Sequence, residues 1–342
     1  MMHDDRPGAW QTLMTFRPAL MGRRSTALLV APAWAGLVVC SAIGRPVEGL
    51  LVALGSYVVL FGGGRPVGER VRDYLISAIG LVLAVAAGMV VGHSTWWTLA
   101  AYLVVSVVAV LVTRLVDPGP PGPYFFVLML GGGTLLTGTG LGIPMTAAYL
   151  ALGSALSIAA GSLDALLLER GRSRPASAPV PAGPTGPPTW VVLVRVLVAV
   201  TASVMVSVAR GDTHPFWGVL VVVLVLSYPG DEGRLTVRAV SRIVGALVGI
   251  ALFTPLARVH LGTAGYVALL CVLLWCVARV TAHNYLVGSV VITLLALAMS
   301  VPLSPNEGPG ELATARGVDT IVAGAIAVAV IWVIRTTRER RP

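Results

Sequence analysis

The sequence predicts an all-α polytopic membrane protein, with about twelve transmembrane helices arranged as two parallel six-helix repeats and both termini cytoplasmic. Three observations carry this reading. Of the 342 residues, 56% are hydrophobic and only 11% are charged, with a mean hydropathy of +0.87. Soluble domains carry about 25% charged residues, so a soluble enzyme or a disordered chain is excluded. The apolar runs are continuous over lengths that can cross a bilayer, about 20 residues each. They do not alternate in short strands, as a β-barrel requires. Third, the basic residues fall on alternate sides of these runs.

Twelve apolar stretches can be marked in order. The first six are 26–43, 47–61, 74–92, 96–113, 124–141 and 145–166, and the last six are 190–209, 215–230, 239–257, 263–280, 284–301 and 316–335. The second and eighth are short for a span, which fits a tilted, broken or buried helix. Between the sixth and seventh lies 171–189, GRSRPASAPVPAGPTGPPT, with six Pro and three Gly. No helix continues through it and it has too few apolar residues to pack, so it reads as a linker. The chain divides accordingly into a first membrane repeat with an N-terminal tail (1–170), a cytoplasmic linker (171–189), and a second membrane repeat with a short Arg-rich tail (190–342).

All 24 basic residues are Arg, the composition expected of a high-GC bacterial genome. With the N-terminus inside, 20 of them fall on the inner side and four (Arg45, Arg210, Arg258 and Arg316) on the outer side. The positive-inside rule therefore places both termini and the linker in the cytoplasm, and the protein in a bacterial cytoplasmic membrane. The net charge of +9 is topological, and a nucleic-acid partner is excluded. The chain before the first apolar run shows no signal-peptide pattern. Cys40, Cys271 and Cys276 lie inside apolar runs and read as packing residues.

The halves repeat one another. Pro46-Val47-Glu48-Gly49-Leu50-Leu51-Val52 lines up with Pro215-Phe216-Trp217-Gly218-Val219-Leu220-Val221, Gly80 with Gly245, and Thr113-Arg114-Leu115 with Ala278-Arg279-Val280. Six spans per half is an even number, so both halves insert in the same orientation. The pseudo-twofold axis then lies along the membrane normal, with a shared path between the halves.

No enzymatic constellation is present: the histidines show no HExxH spacing and no His/Cys cluster, and the glycine runs lack a Walker lysine. No cofactor or metal is expected. The run 131–133 reads either as close helix packing or as a broken helix lining a cavity.

Ionisable residues within or at the rims of spans point to function, because a charge facing lipid costs several kcal/mol. Arg195 lies about five residues into the seventh span; it either snorkels to the interface or faces a path, with Asp164 as a possible partner. Arg242 begins the ninth span, as an interfacial anchor or a path residue. Arg316 and Asp319 open the last span on one helix face and could pair with each other. Trp217 is an aromatic-belt residue by default, and His214 beside it a solvated loop residue. Glu48 occupies the repeat position of Trp217 and could pair with Arg45 or Arg316.

The stretch 195–249 resembles the core of the fusaric-acid-resistance-like (FUSC) family of aromatic acid exporters. It matches in an early Arg195, in Trp217, in a polar turn with Pro229, and in Arg242-Ile243-Val244-Gly245-Ala246-Leu247-Val248-Gly249. The last is close to the family's R-x-x-G-T-x-x-G, with Ala246 in place of the usual Thr. Arg316-Gly317-Val318-Asp319-Thr320 with Gly324 is similar to the family's R-x-x-D-T-x-x-G. In the first half, Ala148 and Ala151 stand roughly where Arg316 and Asp319 stand in the second. Long family members carry a soluble domain after each six-helix block; a linker and a short tail replace those here.

The resemblance implies an exporter of small organic anions, aromatic carboxylates among them. Arg195 and Arg242 are expected near the inner mouth of an axial path, with Trp217, Arg316 and Asp319 at the outer mouth. A passive anion channel of the same fold and a non-transporting scaffold are the alternatives. The oligomeric state stays open, a homo-oligomer included.

Overall fold

The computed structural model describes residues 23–62, 65–92, 94–116, 122–171, 187–212, 214–228, 230–281, 283–304 and 306–339. The N-terminal tail, linker residues 172–186 and the last three residues lie outside the described residues. Among the described residues the structure is all-helical, with α1 (Arg23–Ala42), α2 (Pro46–Gly55), α3 (Val67–Val91), α4 (Thr95–Leu115), α5 (Tyr124–Leu136) and α6 (Ile143–Gly171) in the first half. The second half has α7 (Thr189–Ala209), α8 (Phe216–Leu226), α9 (Glu232–Leu256), α10 (Thr263–Val280), α11 (Tyr285–Ser300) and α12 (Pro309–Glu339). Each helix overlaps its apolar stretch, because a helix in lipid satisfies all its backbone hydrogen bonds internally, but α3, α9 and α12 each begin seven residues before theirs.

Nine of the described helices are long and apolar enough to cross a membrane, while Pro46–Leu60, Tyr124–Thr139 and Phe216–Leu226 are shorter. The long helices turn large apolar side chains outward, Leu83, Val90, Val104 and Leu252 among them. Trp96, Trp97, Trp190 and Trp332 are also exposed, as residues anchoring a chain at membrane interfaces are.

The short helices owe their length to where they start. Gly80 of α3 meets the ring of Phe126, in the first turn of α5. That contact lies thirteen residues along α3, or about 20 Å at 1.5 Å per residue. Gly218 of α8 meets Ala323, fourteen residues along α12. Both helices therefore begin in the protein interior, and ten of the eleven residues of α8 are buried.

Helix α5 runs unbroken through 131–133, so the broken-helix alternative does not hold there. These glycines serve close packing instead. A Cβ on Gly133 would lie 2.2 Å from the carbonyl oxygen of Val85, and one on Gly131 would strike the ring of Phe216.

The packing partners of the first half recur in the second. In the first, α1 packs on α2, α3 on α5, and α6 on both α2 and α3; in the second, α7 packs on α8, α9 on α11, and α12 on both α8 and α9. Between the halves, α1 meets α10 and α4 meets α7, while α5 packs on α8.

Candidate functional site

The helix starts fix the site. Helix α9 begins at Glu232, capped by Asp231, whose carboxylate accepts the Arg234 N–H at 2.8 Å. The polar stretch before the apolar run thus continues the helix outward. This moves Arg242 from the beginning of a span to ten residues within the helix, about 15 Å from its start. Hydropathy marks only the embedded part of a helix, which is why the sequence placed Arg242 at a rim.

Arg242 is 1% exposed and Arg316 0%, and none of the three guanidinium nitrogens of either has a hydrogen-bond partner. The two lie within electrostatic reach of each other, and Arg316 also of Tyr124 and Asp319. The Arg316 Cζ sits 4.0 Å from the centroid of the Trp217 ring. Trp217 in turn packs on Phe216 at 4.3 Å between ring centroids, and its indole Nε1 is buried without an acceptor. Cation–π contact stabilises a desolvated guanidinium by about 2 kcal/mol but leaves its N–H groups unsatisfied. Trp217 is therefore a buried member of this cluster and not a belt residue. The first turns of α5 and α8, which carry Tyr124 and Trp217, follow Pro123 and Pro215 with no side-chain cap. Their positive dipole ends add to the field of the two arginines.

Asp319 is 2% exposed, and its partner is Arg210, at the end of α7, rather than Arg316. Arg210 also binds the Asp212 carboxylate at 3.0 Å, which further accepts the Ser207 hydroxyl and the His214 N–H, each at 3.0 Å. Burial alone would raise the Asp212 pKa. The hydrogen bonds from the His214 N–H and the Ser207 hydroxyl, with the Arg210 charge, outweigh it and hold the carboxyl below its ordinary value. His214 is buried rather than solvated, with Nε2 3.5 Å from Glu307.

Arg195 is not brought into the Arg316–Trp217 contact. Its Nη2 donates to the Tyr228 carbonyl at 3.0 Å, while Arg238 donates to the Leu224 carbonyl at 3.1 Å and lies over the rings of Tyr228 and Tyr285. Two cations thus cap the C-terminal end of α8, the end opposite Trp217, where cations stabilise a helix. In the first half, Glu48 lies beside Arg45, and Asp164 is buried beside Tyr74. Asp73 there is wholly buried and paired with Arg65 at 2.9 Å.

Arg210, Asp212 and Tyr124 were missed in the sequence. The signal available was a polar Arg-Gly-Asp corner between two apolar runs, which marks a turn but not the carboxylate it reaches on α12.

Residues 186–330 match the family model described as fusaric acid resistance protein-like. Arg195, Trp217, Arg242, Arg316 and Asp319 all fall within that match. No curated protein and no solved structure matches the chain. Over residues 186–330, which make up most of its second half, the chain is similar to the fusaric acid resistance protein-like family.

Proposed function

We propose that the protein carries small organic anions, aromatic carboxylates in particular, outward across the bacterial cytoplasmic membrane. The match of residues 186–330 to the fusaric acid resistance protein-like family and the apolar helices support the class. One observation carries the substrate: Arg242 and Arg316 are fully buried, near one another, and lack any protein hydrogen-bond acceptor. Burying an unpaired charge costs several kcal/mol. A carboxylate supplies the missing charge and the missing acceptors together, through short charge-assisted hydrogen bonds. Tyr124, and Trp217 once Arg316 turns from its face toward the carboxylate, are suited to an aromatic ring attached to that carboxylate.

The path runs between the halves. Tyr124 comes from the first half and the two arginines from the second, so the site spans their interface. The recurrent packing, and the exchange of α1–α10 for α4–α7 between halves, support a parallel repeat with its axis along the membrane normal. The distribution of arginines supports cytoplasmic termini. Because Arg242, Arg316 and Trp217 are at most 2% exposed, the reading favours a carrier that closes around its substrate over an open channel. Arg195 acts from a distance by holding the end of α8 in place.

The test is efflux of a panel of aromatic carboxylates from proteoliposomes containing the parent chain, R242Q or R316Q, with protein incorporation measured in parallel. Losing a charged hydrogen bond, about 1.5–3 kcal/mol, should slow efflux by about tenfold to a hundredfold. Unchanged efflux in both variants would return these residues to a structural role and favour the scaffold reading.

A further inference from the structure

Asp319 has two cations within reach and uses one. It lies three residues after Arg316 on α12, so the two side chains share a face with Cβ atoms about 5–6 Å apart. Its Oδ1 is taken by Arg210, while Oδ2 is buried and receives no hydrogen bond. Arg210 in turn has two carboxylates, since Asp212 holds it independently at 3.0 Å. Asp212 is itself fixed by Ser207 and by the His214 N–H. Arg210 can therefore release Asp319 without becoming an unpaired cation. Arg316 has no such reserve: its guanidinium has no hydrogen-bond partner in the protein, and Asp319 is the carboxylate nearest to it in sequence on its own helix.

The two cations also differ in position. The Arg210 side chain is 29% exposed, whereas Arg316 has no exposure. Arg210 is thus the one of the two that reaches solvent, at the corner where α7 turns toward α8. His214, paired with Glu307, lies at the same corner.

We infer that Asp319 is an exchangeable counter-ion that couples site occupancy to a gate at the α7–α8 corner. With an anion on Arg316, Asp319 pairs with Arg210 and the corner is closed. When the anion leaves, Asp319 turns to Arg316, Arg210 falls back on Asp212, and the corner opens. The exchange keeps Arg316 paired with a carboxylate in both states, so Arg316 never bears the full cost of an unpaired buried charge. Arg210 and Asp319 are gate residues in this scheme, and Arg316 is the residue that touches substrate. The inference rests on the anion-transport reading above.

The experiment uses the full chain in proteoliposomes, with Cys40, Cys271 and Cys276 replaced by Ala and a reporter introduced by His214→Cys. Labelling by a membrane-impermeant thiol reagent is measured with and without benzoate as the probe anion, and benzoate binding is measured on the same samples. In the reporter chain, benzoate should slow labelling about tenfold. Adding R210Q should make labelling fast with and without benzoate while leaving binding within about threefold. R210K, which keeps the charge, should restore protection. D319N should also uncouple labelling from benzoate, and should tighten binding several-fold because the competing carboxylate is gone. Binding and protection in R210Q equal to those of the reporter chain would overturn the gate and leave the transport reading standing, as would weaker binding in D319N. Absence of benzoate binding to the reporter chain and to the parent chain alike would overturn the transport reading and the gate with it.

Discussion

Helix α3 carries Ser77 where α9 carries Arg242, with Gly80 and Gly245 in register one turn later. The buried positions Thr146, Leu150, Gly153, Ser154 and Ser157 of α6 recur on α12 as Arg316, Thr320, Ala323, Gly324 and Ala327. That register pairs Thr146 with Arg316 and Tyr149 with Asp319, two residues away from the Ala148 and Ala151 that the sequence alignment suggested. Arg45 in the first half then donates to the Tyr149 hydroxyl at 3.3 Å, where Arg210 in the second pairs with Asp319. The helices pack alike, but buried hydroxyls stand in one half where buried charges stand in the other. Ser77, Thr146 and Ser157 are buried without a hydrogen-bond partner, and leaving a neutral hydroxyl unpaired costs far less than leaving a guanidinium so. On the anion-transport reading, the comparison separates helix packing that recurs in both halves from a proposed site whose charges come from the second half, with Tyr124 of the first half beside them.

The largest expected effect breaks the comparison at its centre. R316Q should reduce carboxylate transport by about tenfold to a hundredfold, from the loss of about 1.5–3 kcal/mol. The equivalent change in the other half, T146A, should leave transport within twofold. Equal losses in both would mean that both halves bear a site.

A second prediction concerns the shared scaffold. On α5 a Cβ at Gly133 would lie 2.2 Å from the Val85 oxygen, whereas on α9 a Cβ at Gly245 would lie 2.6 Å from the Ser289 Cβ and 2.8 Å from the Leu286 oxygen. None of these atoms can turn aside, so the closer approach sets the larger cost. G133A should therefore destabilise the protein by about 1–3 kcal/mol, and G245A by less. Thermal unfolding in detergent compares them, and the reverse order would show that the second half is packed more rigidly than its contacts indicate.

A third, smaller effect lies at the ring. W217F keeps a π face for Arg316 and should cost aromatic carboxylates only a few-fold in apparent affinity. W217A removes both the cation–π contact and the stacking surface, worth about 2 kcal/mol together, and should cost aliphatic carboxylates less than aromatic ones. Equal losses for the two substrate types, measured by competition for efflux, would remove Trp217 from substrate contact.

The smallest concerns pH at the α7–α8 corner. The Asp212 carboxyl is held below its ordinary value in the folded protein. Its contribution to stability is therefore fully present above the unfolded value, about pH 4, and is lost as pH falls through the folded value. Thermal stability should decline more steeply on acidification below about pH 4 in the parent chain than in D212N.

Much of the helix pattern was legible because hydropathy acts through a single physical constraint, the cost of exposing polar groups to lipid. The same constraint explains what was not legible. The start of α9 lies outside the apolar run, so Arg242 read as a rim residue. The depth at which α5 and α8 begin depends on which neighbours they pack against, which no run length records. Arg242, Trp217, Arg316 and Asp319 stood out as chemistry-bearing residues in the sequence, but their pairing did not. Spacing along α12 suggested Arg316 with Asp319, and the partner that won, Arg210, is 109 residues away. His214 and Arg195 failed for a related reason: their roles are set by Glu307 and by the Tyr228 carbonyl, contacts made only once the corner and the end of α8 are in place.

The central claim is that one anion site per chain is built on the buried arginines of the second half. Its most direct test is equilibrium binding of radiolabelled benzoate to the purified full chain, with stoichiometry fitted for the parent, R316Q and T146A. The account predicts one benzoate per chain, binding at least tenfold weaker in R316Q, and parent-like binding in T146A. Two benzoates per chain, or parent-like binding in R316Q, would contradict it.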